Sequence, residues 1–317
     1  MSDLQSVLVM NLSYFKSFCI FAEELKKINK LTGLFMLLIA DSGSTKTDWR
    51  FFDKNLNTHD ISTIGMNPYF VNKKDIIDVL EKDLHPYFDK NQIKEVYFYG
   101  SGCTLQDKIL EVEGALKDFF TKAEVVIESD LLGTARAVSG DEPGIIGILG
   151  TGSNSCLYDG KNITSQLFSL GYILGDEGSG AVLGRKILKA ALSDNMPEDL
   201  FNDFKATYPE TPDSMLNNIY SKPFPNRFLA SFAPFAIKHK NNEWIRDLLT
   251  IHVKEFFGSM VAIYTDYQKY PLCLSGSIAY HLQDIVEDIC ETHKMQLSNV
   301  IRRPIDGLAE YHLRRRA

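Results

Sequence analysis

Apolar residues run unbroken from Met36 to Ala40 and give way to Asp41-Ser-Gly-Ser-Thr-Lys-Thr47, after which Asp48-Trp-Arg-Phe-Phe-Asp53 resumes an apolar pattern. This predicts strand, tight turn, strand. The same pattern returns much later: Gly144-Ile-Ile-Gly-Ile-Leu149, the turn Gly150-Thr-Gly-Ser-Asn-Ser155, then Cys156-Leu-Tyr158 and a further turn at Asp159-Gly160. Two such units imply an internal duplication. Between them, Lys94 to Tyr99 and Glu124 to Glu128 read as buried strands, separated by a helical stretch from about Leu105 to Phe120. Beyond Gly178 the chain reads as helical through Lys189 and again from about Arg227 to Lys269, returning to a strand at Pro271 to Leu274.

Strand and helix alternate, so the expected class is α/β with a mixed sheet. The boundary is placed near Ser139 to Pro143, giving a first domain over 36–139 and a second over 140–317, with the option that the last helix packs back on the first. No long linker intervenes, so the two domains are expected to meet across a cleft. Residues 1–35 precede the first core strand. They allow two readings: an amphipathic helix packed on the first domain, or an extension ahead of a start at Met36.

Composition narrows the function classes. The 317 residues are 44% hydrophobic and 24% charged, with a formal net charge of −7. An acidic chain whose one dense basic cluster is Arg314 to Arg316 is a poor match for a phosphate backbone, so no nucleic-acid partner is expected. The apolar residues from Leu4 to Leu31 are interrupted by Lys16, Glu23, Glu24, Lys26 and Lys27, which excludes a membrane span there. Five cysteines, odd in number and without a C-x-x-C pair, read as thiols of a reducing cytoplasm.

The turns carry the candidate chemistry. Asp41 stands at a strand end before small and hydroxyl residues, a sequence that lets backbone N–H groups approach a phosphate. It is not a P-loop, because Thr45 stands where a glycine must precede the lysine and a strand pattern follows. Gly150-Thr-Gly-Ser-Asn-Ser155 likewise fails as a dinucleotide fingerprint, since Ser155 replaces the last glycine and no helix opens. What raises both is their pairing, one per domain, as two turns able to grip one triphosphate.

Three segments in order resemble the phosphate-one, phosphate-two and adenosine motifs of the actin/hexokinase/Hsp70 ATPase superfamily: Asp41 to Thr47, Leu149-Gly-Thr-Gly-Ser-Asn154 and Leu274-Ser-Gly-Ser-Ile-Ala279. Gly175-Asp-Glu-Gly-Ser179 is similar to a segment shared by N-acetylglucosamine kinases and the BadF/BadG/BcrA/BcrD-type ATPases. The resemblance covers Met36 to the C-terminus. It implies two duplicated ribonuclease H-like, actin-like ATPase domains and an ATP-dependent amino-sugar kinase converting N-acetylglucosamine to its 6-phosphate.

By that resemblance Asp130 is the base that deprotonates the sugar hydroxyl, against the plainer reading of Asp130 as a helix N-cap. Asn67, Thr151, Ser153, Asn154 and Asp176 would contact the sugar. Gly43, Ser44, Thr45, Lys46, Thr47, Gly150, Gly152, Gly276 and Ser277 would contact ATP, and Asp41 would hold Mg2+ through water. A homodimer is implied on the same ground alone. Where animal N-acetylglucosamine kinases carry a tryptophan, this chain has Leu170, which leaves glucosamine or another amino sugar open.

Two further readings remain. One is an ATPase that activates a CoA-ester reductase or dehydratase through an iron–sulfur cluster, with Cys103 and Cys156 as candidate ligands. The other is a sugar-sensing regulator, disfavoured because residues 1–35 lack basic character and a helix-turn-helix pattern.

Overall fold

A computed structural model describes residues 37–53 and 57–316. The readings made for residues 1–35 and Met36 lie outside the described residues. The described residues divide into two compact units: those up to Gly133 together with those from Ile305 onward form unit 1, and Thr134–Pro304 forms unit 2. The first crossing falls inside the helix Asp130–Ser139, six residues before the turn where the boundary was expected.

Unit 1 is built on five strands: β1 (Leu37–Ser42), β2 (Lys46–Phe52), β3 (Thr58–Ile64), β4 (Glu95–Gly100) and β5 (Glu124–Ser129), in the order β3-β2-β1-β4-β5. β1 pairs antiparallel with β2, β2 antiparallel with β3, and β1, β4 and β5 run parallel. Unit 2 repeats this arrangement with β6 (Gly144–Leu149), β7 (Ser153–Tyr158), β8 (Ile163–Gln166), β9 (Leu272–Ser275) and β10 (Leu297–Ile301), ordered β10-β9-β6-β7-β8 with the same sequence of antiparallel and parallel pairings. The duplication read from the turns is therefore a duplication of strand order.

The central strands are the ones whose apolar runs were visible. Leu37, Leu38, Ile39 and Ala40 are all buried, as are Gly144 to Gly147 of β6, because a strand covered on both faces needs no polar alternation. β3 was not anticipated. Its sequence Thr58-His-Asp-Ile-Ser-Thr-Ile64 is mostly polar, and only Ile61 and Thr63 turn inward from this edge strand. β8 and β10 were missed for the same reason: at the sheet edge four to five residues suffice without an apolar run.

The stretch expected as one helix from Arg227 to Lys269 is instead several. Helices span Pro225–Ala230, Ala233–Lys238 and Glu243–Phe256, the last continuing into a wider turn over Phe257–Val261. Pro234, lacking an N–H, fits only the first turn of a helix and so starts the second piece. Asn242 caps the third, its side chain accepting from the Ile245 N–H at 3.3 Å. Past Val261 only a short 3-10 turn at Tyr267–Lys269 remains helical.

Each unit has its own apolar core. That of unit 1 gathers around Trp49, Phe98, Leu116 and Phe120, and that of unit 2 around Ile145, Phe232, Phe256 and Leu274. The C-terminal helix Pro304–Arg314 closes unit 1. Arg50 of β2 holds Asp60 of β3 through two hydrogen bonds, at 2.6 and 2.7 Å, and Asp306 of that helix at 2.7 Å. Tyr99 and His312 share a hydrogen bond of 2.8 Å beneath the same helix.

Candidate functional site

Strand register alone assembles the half of the site in unit 1. Ser42, Gly100 and Ser129 lie side by side across β1, β4 and β5, each as the last residue of its strand. The residues one step beyond, Gly43, Ser101 and Asp130, must therefore emerge together at the carboxyl edge of the parallel strands, where open α/β sheets bind their ligands. Asp41 sits one row back, paired with Tyr99.

Asp130 begins the helix Asp130–Ser139, but it is not the cap. Ser129 fills that role, its hydroxyl accepting from the Leu132 N–H at 3.2 Å. The Asp130 carboxylate accepts from the Leu131 N–H at 2.9 Å. Burial pushes its pKa above the usual carboxylate range, and the Leu131 N–H, the nearby Ser101 hydroxyl and its own N–H oppose the rise. A desolvated carboxylate at a strand end is a stronger proton acceptor than an exposed one.

Asn67 is buried between the first turn and the loop after β4. Its Nδ2 donates to Ser44 Oγ at 3.0 Å and reaches Ser101 Oγ at 3.5 Å, while its Oδ1 accepts from the Tyr69 N–H at 3.0 Å. Gly102, at φ +82°, makes room for it: a Cβ there would lie 2.5 Å from Asn67 Oδ1. Ser101, which sequence reasoning missed, reaches Asn67 and leaves its strand end beside the one that Asp130 follows. The only signal was its place between two glycines directly after an apolar strand.

The first turn spans Gly43 to Thr45 and is closed by the Gly43 N–H donating to the Lys46 carbonyl at 2.9 Å. Gly65 lies directly against it, its N–H donating to the Thr45 carbonyl at 3.1 Å. Thr47 was expected among the nucleotide contacts but belongs to the core. It is fully buried, hydrogen bonded to Ser42 Oγ at 2.8 Å and donating to the Ile64 carbonyl at 3.1 Å. Lys46 is largely exposed and pairs with Asp48 at 2.6 Å. Beside its backbone amides this turn carries the Ser44 and Thr45 hydroxyls.

In unit 2 the second turn is only Gly150-Thr151-Gly152, closed by the Gly150 N–H donating to the Gly152 carbonyl at 3.0 Å, and Ser153 to Ser155 already belong to β7. It docks on the helix Gly180–Leu192: the carbonyls of Gly150 and Thr151 accept from the Gly180 and Ala181 N–H groups at 2.7 and 3.1 Å. Ser153 is buried and its hydroxyl donates to the Glu177 carbonyl at 2.7 Å, so it braces the Gly175–Ser179 loop rather than presenting a hydroxyl to a ligand. Asn154 Oδ1 accepts from the Ser155 N–H at 2.8 Å.

Asp176 lies beside the second turn, its carboxylate 3.1 Å from where a Gly152 Cβ would stand. Burial raises its pKa to about 6, the Ser153 N–H opposes that rise, and the charge on Glu177 adds to it. If Asp176 accepts hydrogen bonds from a sugar, only its ionised form serves. The KM for that sugar should then rise about tenfold per pH unit below about 6, with the KM for nucleotide flat; initial rates from pH 5 to 8 check this.

Gly276 completes this half. At φ +111° it follows β9, and a Cβ on it would stand 2.3 Å from the Leu149 carbonyl oxygen at the root of the second turn. Ser277, exposed, opens the helix Ser277–His281. Leu170 is exposed in the segment leading to Asp176, along with Phe168, Ile173 and Leu174.

The iron–sulfur alternative is not supported. Cys103 and Cys156 are both buried, and burial pushes each thiol up to about 12, with the Asp130 charge adding to the effect at Cys103. Cluster ligands must be thiolates. Among the described residues no three His, Cys, Asp or Glu side chains gather to hold a metal. Asp41, near the end of β1 and two residues before the first turn, is a carboxylate of the kind that fits a cation arriving on nucleotide phosphates and keeping water in its shell. Nor, among those residues, is any helix long and apolar enough to cross a membrane.

No family model matches the sequence, and no curated protein matches it. Solved structures do. A candidate N-acetylglucosamine kinase from Porphyromonas gingivalis is 38% identical with a TM-score of 0.84, aligned over 89% of this chain and 100% of that one. A second, from Chromobacterium violaceum, shares the fold at 18% identity and a TM-score of 0.65 over 88% and 99% of the two chains. The actin-like protein MreB 5 of Spiroplasma citri, solved with AMPPNP, aligns at 9% identity and a TM-score of 0.50 over 90% and 96%. The identity to the Porphyromonas gingivalis protein, which extends over the whole of its length, means that this chain belongs to the same family of N-acetylglucosamine kinase-like sugar kinases, on the actin-like ATPase fold.

Proposed function

We propose that the protein transfers the γ-phosphoryl group of ATP to the 6-hydroxyl of an amino sugar, N-acetylglucosamine foremost, as a cytoplasmic kinase related to the BadF/BadG/BcrA/BcrD-type ATPases and, by the same kinship, a homodimer. The observation that carries this is Asp130, a half-buried carboxylate at the strand edge whose pKa burial raises and whose helix is capped by Ser129, leaving it for proton transfer. Asp130 accepts the hydroxyl proton as the oxygen attacks phosphorus. Asn67 and Asp176 orient the sugar, and the amides of the Gly43–Thr45 and Gly150–Gly152 turns, with Gly276 and Ser277, take the nucleotide. Mg2+ bound with ATP, near Asp41, would neutralise phosphate charge. Catalysis of this kind is mostly positioning and electrostatics.

The test is ADP release with Mg-ATP across N-acetylglucosamine, glucosamine, N-acetylmannosamine, N-acetylmuramic acid and glucose. Turnover that depends on one amino sugar supports the reading and names the substrate. Sugar-independent hydrolysis, or silence with every sugar, overturns it. Because Leu170 replaces an aromatic residue of animal relatives, the ratio of N-acetylglucosamine to glucosamine turnover is the informative comparison.

A further inference from the structure

We propose that Ser153 is a positioning residue for the sugar-side carboxylate: its hydroxyl, by holding the Glu177 carbonyl, fixes Asp176 beside the second turn and so sets affinity for the sugar without touching it. The inference rests on the reading of Asp176 as a sugar contact, and it makes Ser153 a support rather than a ligand.

Two neighbours on one segment meet two neighbours on another. Ser153, the first residue of β7, donates its hydroxyl to the Glu177 carbonyl at 2.7 Å. Gly152, directly before it, has no side chain to obstruct Asp176, whose Oδ2 lies 3.1 Å from where a Cβ would stand. The join therefore grips the loop at residue 177 and presents the carboxylate of residue 176 at the turn. A serine hydroxyl has one proton to give, and here the protein itself receives it. With Ser153 only 6% exposed, little of the side chain is left for a ligand.

The loop needs such a hold. Asp176 stands at φ +58°, in the left-handed region that a residue with a side chain seldom adopts unless its surroundings impose it. Gly178 follows at φ +86°. Within the loop, the Ser179 N–H donates to the Asp176 carbonyl at 3.0 Å, a local bond that bends the segment without joining it to the sheet. The Ser153 hydroxyl joins it to β7.

Ser153 is in turn supported from behind. It shares one face of β7 with Ser155, because alternate residues of a strand point the same way. Ser155 Oγ donates to the Met260 carbonyl at 2.7 Å and shares a hydrogen bond of 3.0 Å with the Tyr264 hydroxyl, which seats the wide turn Phe257–Val261 against the strand. Met260 Sδ is thereby brought to 3.7 Å from Ser153 Oγ. A thioether fills that space but accepts only weakly, so the Ser153 proton stays with the Glu177 carbonyl.

A double-mutant cycle tests this: the unaltered protein, Ser153→Ala, Asp176→Ala and the double variant, with KM for sugar and for ATP and kcat/KM for sugar. Ser153→Ala is expected to lower kcat/KM for sugar roughly tenfold, the order of one buried hydrogen bond, with the KM for ATP within about twofold. In the Asp176→Ala background the same substitution should change kcat/KM by less than about twofold, because the group it positions is gone. Ser153→Cys, close in size and a weak donor, reads the same quantity should the alanine variant not fold. Losses that multiply in the double variant, or a sugar KM unchanged while the thermal midpoint falls, overturn the positioning role even as sugar-dependent turnover in the unaltered protein upholds the kinase. Absence of that turnover removes the kinase reading and this inference with it.

Discussion

Asp130→Asn is expected to lower sugar-dependent turnover by about 10² to 10⁴-fold, the usual contribution of a positioned general base, with the dissociation constant for ATP unchanged. The asparagine keeps the volume and still accepts from the Leu131 N–H, so the start of the helix is undisturbed. What disappears is a site for the sugar proton. Because burial disfavours the charged form of Asp130, its neutral replacement should also leave the fold at least as stable at neutral pH. Steady-state kinetics, nucleotide titration and a thermal melt check the three expectations. Turnover within a factor of about two of the unaltered enzyme would remove Asp130 from the chemistry.

The second large effect is expected at a residue with no functional group. A Cβ at Gly65 would lie 2.3 Å from the Gly43 carbonyl oxygen, 2.6 Å from the Ser44 carbonyl carbon and 2.8 Å from its oxygen. All three are backbone atoms, so no rotamer change relieves the clash. Gly65→Ala must displace the first turn or the segment leading to Asn67. The KM for ATP should rise by roughly tenfold or more, since amides misplaced by an ångström no longer meet phosphate oxygens. Stability should fall by about 1 to 3 kcal/mol, as overpacking does elsewhere. A nucleotide titration with a urea melt reads both. Full ATP affinity in Gly65→Ala would mean that the first turn does not bind phosphate through its backbone.

These two cases mark what the sequence could and could not disclose. β1, β4, β6 and β9 were legible because interior strands carry apolar runs, the edge strand β5 because Val125, Val126 and Ile127 stand together, and both turns because glycine and hydroxyl residues gather there. Within a turn, however, composition does not say which side chain faces which way. Thr47 and Ser153 have the residue types of a ligand contact, yet they stand second and first in their strands and their side chains are buried in the core. Ser101 was invisible for the converse reason. Its place beside Asp130 depends on the parallel register that sets Gly100 beside Ser129, a pairing of strands far apart in sequence that no local pattern encodes. Edge strands β3 and β8 escaped because exposed faces do not require apolar residues.

The discontinuous make-up of unit 1 bears on the order in which the protein can reach its native state during synthesis. Unit 2 is one uninterrupted stretch, Thr134–Pro304, and can complete its core as soon as that stretch has left the ribosome. Unit 1 is made first but lacks Asp306 for Arg50 and His312 for Tyr99 until residues 305–316 have emerged. The sheet that carries Asp130 therefore waits, unclamped, through the translation of the whole second unit.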